Sequence, residues 1–172
     1  ANVSFGRGTL GTNVSGDQNT AFGHQALETF NSDVDGNNVA VGMNAMQALT
    51  TGRNNAVVGT MAGDALQTGD QNTALGSFAL SSAQDCDGVV AIGYAASNAN
   101  LQATGDGSVA IGYAALNNHQ DNPNTAVGYQ SGKNLSTGGA NTALGYNTLG
   151  GNNSTGITGN YNTVIGHQAG RN

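Results

Sequence analysis

Asn19-Thr20-Ala21-Phe22-Gly23, Asn72-Thr73-Ala74-Leu75-Gly76 and Asn141-Thr142-Ala143-Leu144-Gly145 are three copies of one five-residue phrase. With its glycine as anchor, ten copies align, at Gly6, Gly23, Gly42, Gly59, Gly76, Gly93, Gly112, Gly128, Gly145 and Gly166. The successive spacings are 17, 19, 17, 17, 17, 19, 16, 17 and 21 residues. No stretch of the chain lies outside the pattern, so residues 1–172 read as one repeat domain.

Each column of the alignment has a physical reading. The residue before the anchor is always apolar, from Phe5 and Phe22 through Leu75 and Ile111 to Ile165. The one before that is small or Val, as in Ser4, Ala21, Val57 and Ala110. Three before the anchor, Val and Thr dominate (Val39, Val90, Val109, Thr125, Thr163). β-Branched residues alternating with alanine predict a short strand whose two faces meet different surroundings. A helix is disfavoured, because Gly or Asn bounds every motif before three turns could close.

The anchor admits only Gly, which predicts a tight corner needing positive φ, a close backbone approach, or both. Ala recurs three residues later (Ala26, Ala45, Ala62, Ala79, Ala96, Ala115, Ala169), which reads as a second, shorter strand returning across the coil. Gly often stands seven before the anchor (Gly16, Gly52, Gly69, Gly105, Gly138, Gly159). Asn stands four before it in eight copies, where its side chain can cap a turn and stack as a ladder. Two short strands and two turns in about 17 residues make one coil of an all-β, parallel β-solenoid. Nine steps of about 4.8 Å give a rod roughly 43 Å long.

A lumen filled by a Val or Ile pair and a few alanines is thin against the ordering entropy of a whole coil. Both strand faces are apolar, so one is expected to fill the coil and the other to meet a partner chain. A strip of alanines lets backbones approach closely, which suits a narrow shared axis and a homotrimer.

Composition removes other classes. The chain carries 28 glycines, 24 alanines and 24 asparagines, while Leu, Ile, Val and Phe supply only 31 of 172 positions. No apolar run is long enough to cross a membrane as a helix, and no leader pattern opens the chain. Four basic residues against ten acids, a net charge of −6, argue against a nucleic-acid footprint. One cysteine, Cys86, excludes an intrachain disulfide and a cysteine-rich metal site. Flanked by Asp85 and Asp87, it reads as an exposed loop thiol. The final copy ends in mid-coil without a capping segment, which is expected of a piece of something longer.

Val109-Ala110-Ile111-Gly112-Tyr113-Ala114-Ala115 and Val90-Ala91-Ile92-Gly93-Tyr94-Ala95-Ala96 resemble the head repeats of trimeric autotransporter adhesins. The longer form from Asn124 to Tyr129 and from Asn141 to Tyr146 is similar to repeats of bacteriophage tail fibres and related surface fibres. The resemblance covers essentially the whole chain. It implies a left-handed parallel β-roll, a homotrimer, an extracellular place on a virion or cell surface, and adhesion to a glycan or protein receptor. The coils here are longer than those of the adhesin heads.

Candidate chemistry is sparse. Tyr94, Tyr113, Tyr129 and Tyr146 follow the anchor in four consecutive coils, so they should form a ladder: either plain ladder packing or a ligand-contact strip that stacks on sugar rings. His24 and His167 share that column eight coils apart, too far to share a metal within one chain. His119 reads as a loop residue. Asp33/Asp35 and Asp85/Asp87 are the closest carboxylate pairs, the arrangement a glycan-cleaving tailspike would need. They fall in variable loops where Asp forms turns. Neither Gly138-Gly139 nor Gly150-Gly151 opens a helix, so neither is a nucleotide signal. An ice-binding face requires outward threonines, and Thr20, Thr73, Thr125, Thr142 and Thr163 read as sharing a face with a buried large column. The sequence thus assigns no catalytic residue, metal or cofactor, and predicts a non-enzymatic fibre segment.

Overall fold

The computed structural model of the chain describes residues 1–13, 15–99, 107–119, 123–150 and 157–170. Ten three-residue strands form one parallel sheet in chain order: β1 (Val3–Phe5), β2 (Thr20–Phe22), β3 (Val39–Val41), β4 (Ala56–Val58), β5 (Thr73–Leu75), β6 (Val90–Ile92), β7 (Val109–Ile111), β8 (Thr125–Val127), β9 (Thr142–Leu144) and β10 (Thr163–Ile165). Registers keep the repeat columns aligned, for example Thr73↔Val90, Ala74↔Ala91 and Leu75↔Ile92. The fold is a β-solenoid of about nine turns.

The sequence leaves open which strand face lines the coil, although its threonines read as sharing a face with a buried large column. The alanine column points inward: Ala21, Ala40, Val57, Ala91, Ala110 and Ala126 are fully buried. The large column points outward, with Phe5 74%, Leu75 50% and Ile165 65% exposed. The threonines three before the anchor share that outward face, so they do not lie against a buried column. The reason is space. The opposite wall of most coils supplies large side chains, and alanine leaves room for them; Val57 fits where the facing residue is Gly63. Leu27, Met46, Leu80 and Leu116 stand four after the anchor, and Phe30, Leu49, Leu66 and Leu135 seven after it; all are fully buried. His119 also falls in the second of these columns and is fully buried, its Nδ1 2.7 Å from the Leu116 carbonyl, so it is a core residue and not a loop one.

The segment after the corner is not a strand. It is a stack of consecutive turns in which the residues two and four after the anchor take positive φ, such as Asn44 at 57° and Met46 at 48°. A strand has no such residues. The stack still bonds coil to coil as a strand would. Asn44 N–H donates to the His24 carbonyl of the coil before at 2.9 Å, and Met46 N–H to the Ala62 carbonyl of the coil after at 3.0 Å. Holding a leucine or methionine left-handed costs about 1–2 kcal/mol. Burying the same side chain gains about 1.5–3 kcal/mol, so the core residue offsets its own strain. Where the column carries glycine, as at Gly63, Gly132 and Gly170, the conformation costs nothing.

The corner glycines need both properties expected of them. From Gly6 to Gly145, φ lies between +127° and +147°, and a Cβ would stand 2.3–2.6 Å from the carbonyl oxygen of the next corner glycine. The column seven before the anchor behaves similarly, for a Cβ at Gly52 would meet the Gly69 oxygen at 2.3 Å. Gly105, Gly151 and Arg171 lie outside the described residues. Cys86 takes that column's place in its coil and is fully buried, with its sulfur 3.8 Å from Asn72 Oδ1. The thiol is therefore interior, not an exposed loop group. A thiol-specific reagent is expected to label Cys86 only after denaturant is added, with the labelled fraction following the unfolding transition; rapid labelling in buffer would contradict the placement.

Candidate ligand-contact surface

The column one after the anchor follows the corner at the edge of the outward face. Four consecutive coils place tyrosine there, and parallel register turns the column into a ladder. Ring centroids are 5.3 Å apart for Tyr94–Tyr113, 5.1 Å for Tyr113–Tyr129 and 5.2 Å for Tyr129–Tyr146, with planes within 12° of parallel. His167 extends the stack at 5.1 Å from Tyr146, and Phe78 meets Tyr94 edge-on at 5.7 Å. All four tyrosines are 43–49% exposed. Both faces of Tyr113 and Tyr129 lie against neighbouring rings, so what the strip offers to solvent is ring edges and hydroxyls. A sugar cannot stack on a face already covered. His24 sits exposed in the same column at the far end of the rod, and among the described residues no group of three His, Cys, Asp or Glu could hold a metal.

Beside the ladder runs the outward face of the strands, two columns wide. Val, Thr and Ala fill the column three before the anchor, and Phe, Val, Leu and Ile the one before it. Neither column carries a charge in any of ten coils. Apart from Arg7 in the ladder column, ionic groups stand in other columns. Arg53 pairs with Asp70 at 3.6 Å, and Gln25 and Gln47 bond Glu28 and hold its carboxyl below the usual range, Gln47 most strongly. Asp64 sits in the same column as Glu28, and burial pushes its carboxyl up.

The carboxylate pairs serve the coil stack. Asp33 accepts from Ser15 Oγ at 3.1 Å, Asp35 from Gln18 Nε2, Asp85 from Thr68 Oγ1 at 2.7 Å and Asp87 from Asp70 N–H at 2.7 Å, in each case a donor of the preceding coil. The ladder and the ribbon were legible as columns in the sequence; the outward sense of the ribbon was not. Its signal lay opposite, in the Leu, Met and Phe residues four and seven after each anchor, which compete with the large strand residues for one lumen.

No family model, curated protein or solved structure matches the chain.

Proposed function

We propose that the chain is a non-enzymatic segment of an extracellular fibre, on a phage tail or a bacterial surface. It assembles as a homotrimer and presents its rim and loops to a cell-surface glycan or protein receptor. The observation that carries this reading is the uncharged ribbon along the whole solenoid, apolar in the column before the anchor and Val, Thr or Ala in the other. Two outward columns about 43 Å long and roughly 14 Å across with side-chain girth amount to on the order of 600 Å² per chain. That approaches the ~800 Å² a side of a standard interface and stands at the upper end of the roughly 300–600 Å² of the largest apolar patch on a typical soluble monomer. A receptor patch would be local. A ribbon with one rung per coil is matched along its length by another ribbon of the same rise, and three narrow ribbons close round a common axis so that each faces two neighbours.

Light scattering and native mass spectrometry test the assembly. The expected mass is three times 17.1 kDa. Leu75→Asp with Ile111→Asp, which buries unpaired charge in the seam, should weaken association by at least about 100-fold. Leu75→Thr with Ile111→Thr should weaken it less while keeping β-type circular dichroism, since threonine already occupies the outward face at Thr73 and Thr125. A folded wild-type monomer at high concentration would sink the reading.

A further inference from the structure

The polar edge of the tyrosine ladder is unused. None of the four phenol hydroxyls is tied to another described residue. With ring faces consumed by stacking, the strip is a row of hydrogen-bond donors carried on rings whose centroids step by 5.1–5.3 Å. A ligand that meets several rungs must repeat at that step without curving. A folded protein epitope does not; an extended chain of equatorially linked sugar rings advances by a comparable step per ring.

Charge selects the class of sugar. All ten acids precede residue 122, and beyond it the charged residues are Lys133 and Arg171 alone. Tyr129, Tyr146 and His167 therefore follow the last acid of the sequence, Asp121, and His167 continues the stack with a ring nitrogen in place of a phenol. Donors from hydroxyl and imidazole to a carboxylate make charge-assisted bonds, stronger than those to a neutral hydroxyl. The coils of Tyr146 and His167 carry no acid of their own to oppose an anionic chain.

We propose that the edge formed by Tyr129, Tyr146 and His167 binds an extended uronate-bearing polysaccharide lying parallel to the rod. In such a chain every second ring turns its carboxylate to the rod, so these carboxylates accept from the Tyr129 hydroxyl and the His167 ring N–H, two rungs apart, and a hydroxyl of the intervening ring meets Tyr146. This rests on the fibre reading above and names its ligand.

Titration calorimetry at low ionic strength tests it, with a mannuronate hexasaccharide as probe and neutral cellohexaose as reference. The expected result is saturable binding of the mannuronate and at least about tenfold weaker binding of cellohexaose. Tyr129→Phe with Tyr146→Phe keeps the rings stacked and removes only the hydroxyls, and should weaken mannuronate binding by at least about tenfold. No mannuronate binding, equal affinity for cellohexaose, or an unaffected double variant would each overturn the proposal. Light scattering on the same samples separates the two readings. A trimer that ignores the glycan sinks only this inference, whereas a monomer sinks the fibre.

Discussion

Gly93→Ala is expected to destabilise the solenoid severely, whereas Gly166→Ala is expected to be mild. Both glycines have nearly the same backbone conformation, φ +127° and +129°. Both substitutions therefore carry the strain of a side chain in that region, about 1–3 kcal/mol. They differ in what the new methyl meets. At Gly93 it would stand 2.6 Å from the Gly112 carbonyl oxygen and 2.7 Å from its carbon, and backbone cannot swing aside as a side-chain tip can. Relief requires parting two coils at the corner, where Gly112 N–H donates to the Ile92 carbonyl at 2.7 Å and Gly93 N–H to the Leu75 carbonyl at 2.8 Å. At Gly166 the nearest group is the Ala169 methyl at 3.7 Å, an ordinary contact. The expected loss is more than about 4 kcal/mol at Gly93, a fall in melting midpoint of about 10 °C or more. At Gly166 it is the strain alone, a few degrees. Thermal melts followed by circular dichroism decide it: equal midpoints would mean that the corner glycines are selected for φ and not for the approach of consecutive coils.

That comparison also explains which parts of the fold the sequence displayed. A requirement that repeats in every coil leaves a column, and a column can be read without coordinates. The corner glycines, the asparagines four before them and the tyrosine ladder all entered this way, and the strands lie where their alternation placed them. The inward sense of the strand was not displayed. Alanine beside isoleucine fits a buried large residue and an outward small one as well as the reverse, and periodicity of two distinguishes the faces without naming them. What decides is volume on the far wall, where Leu27, Phe30, Met46 and Leu49 crowd the lumen. The stacked turns escaped for a related reason. Left-handed positions usually announce themselves by Gly or Asn, but here Leu27, Leu80 and Leu116 adopt φ of 48–57° because burial holds them there. Gly63, Gly132 and Gly170 in the same column were the available sign.

The asparagine ladder yields the second large effect, because each rung serves both neighbours. Asn55 is buried; its Nδ2 donates to Asn38 Oδ1 at 3.1 Å and to the Gly69 carbonyl at 2.8 Å. Its Oδ1 accepts from Asn72 N–H at 2.9 Å and from Asn72 Nδ2 at 3.0 Å. Asn55→Ala leaves the Gly69 carbonyl and the Asn72 amide without these partners in a region closed to water. Stranded buried groups cost about 1–3 kcal/mol each, so a total of roughly 3–5 kcal/mol is expected. Asn162→Ala provides the contrast, since Asn162 is exposed and, among the described residues, its side chain donates to Asn141 Oδ1 alone, at 2.9 Å. Water can replace that bond, and the loss should stay at about 1 kcal/mol or less. The chain supplies its own partial repair. Ser108 stands in the ladder column and accepts from Asn124 N–H at 3.2 Å through its hydroxyl. Asn55→Ser should therefore restore an acceptor for the Asn72 amide and recover part of the stability, falling between wild type and Asn55→Ala in urea midpoint. Hydrogen exchange at Asn72 localises the effect: fast in Asn55→Ala, slowed again in Asn55→Ser. If Asn55→Ala and Asn162→Ala lose the same stability, burial adds nothing to the rungs, and the ladder is a consequence of coil stacking with no part in holding the coils together.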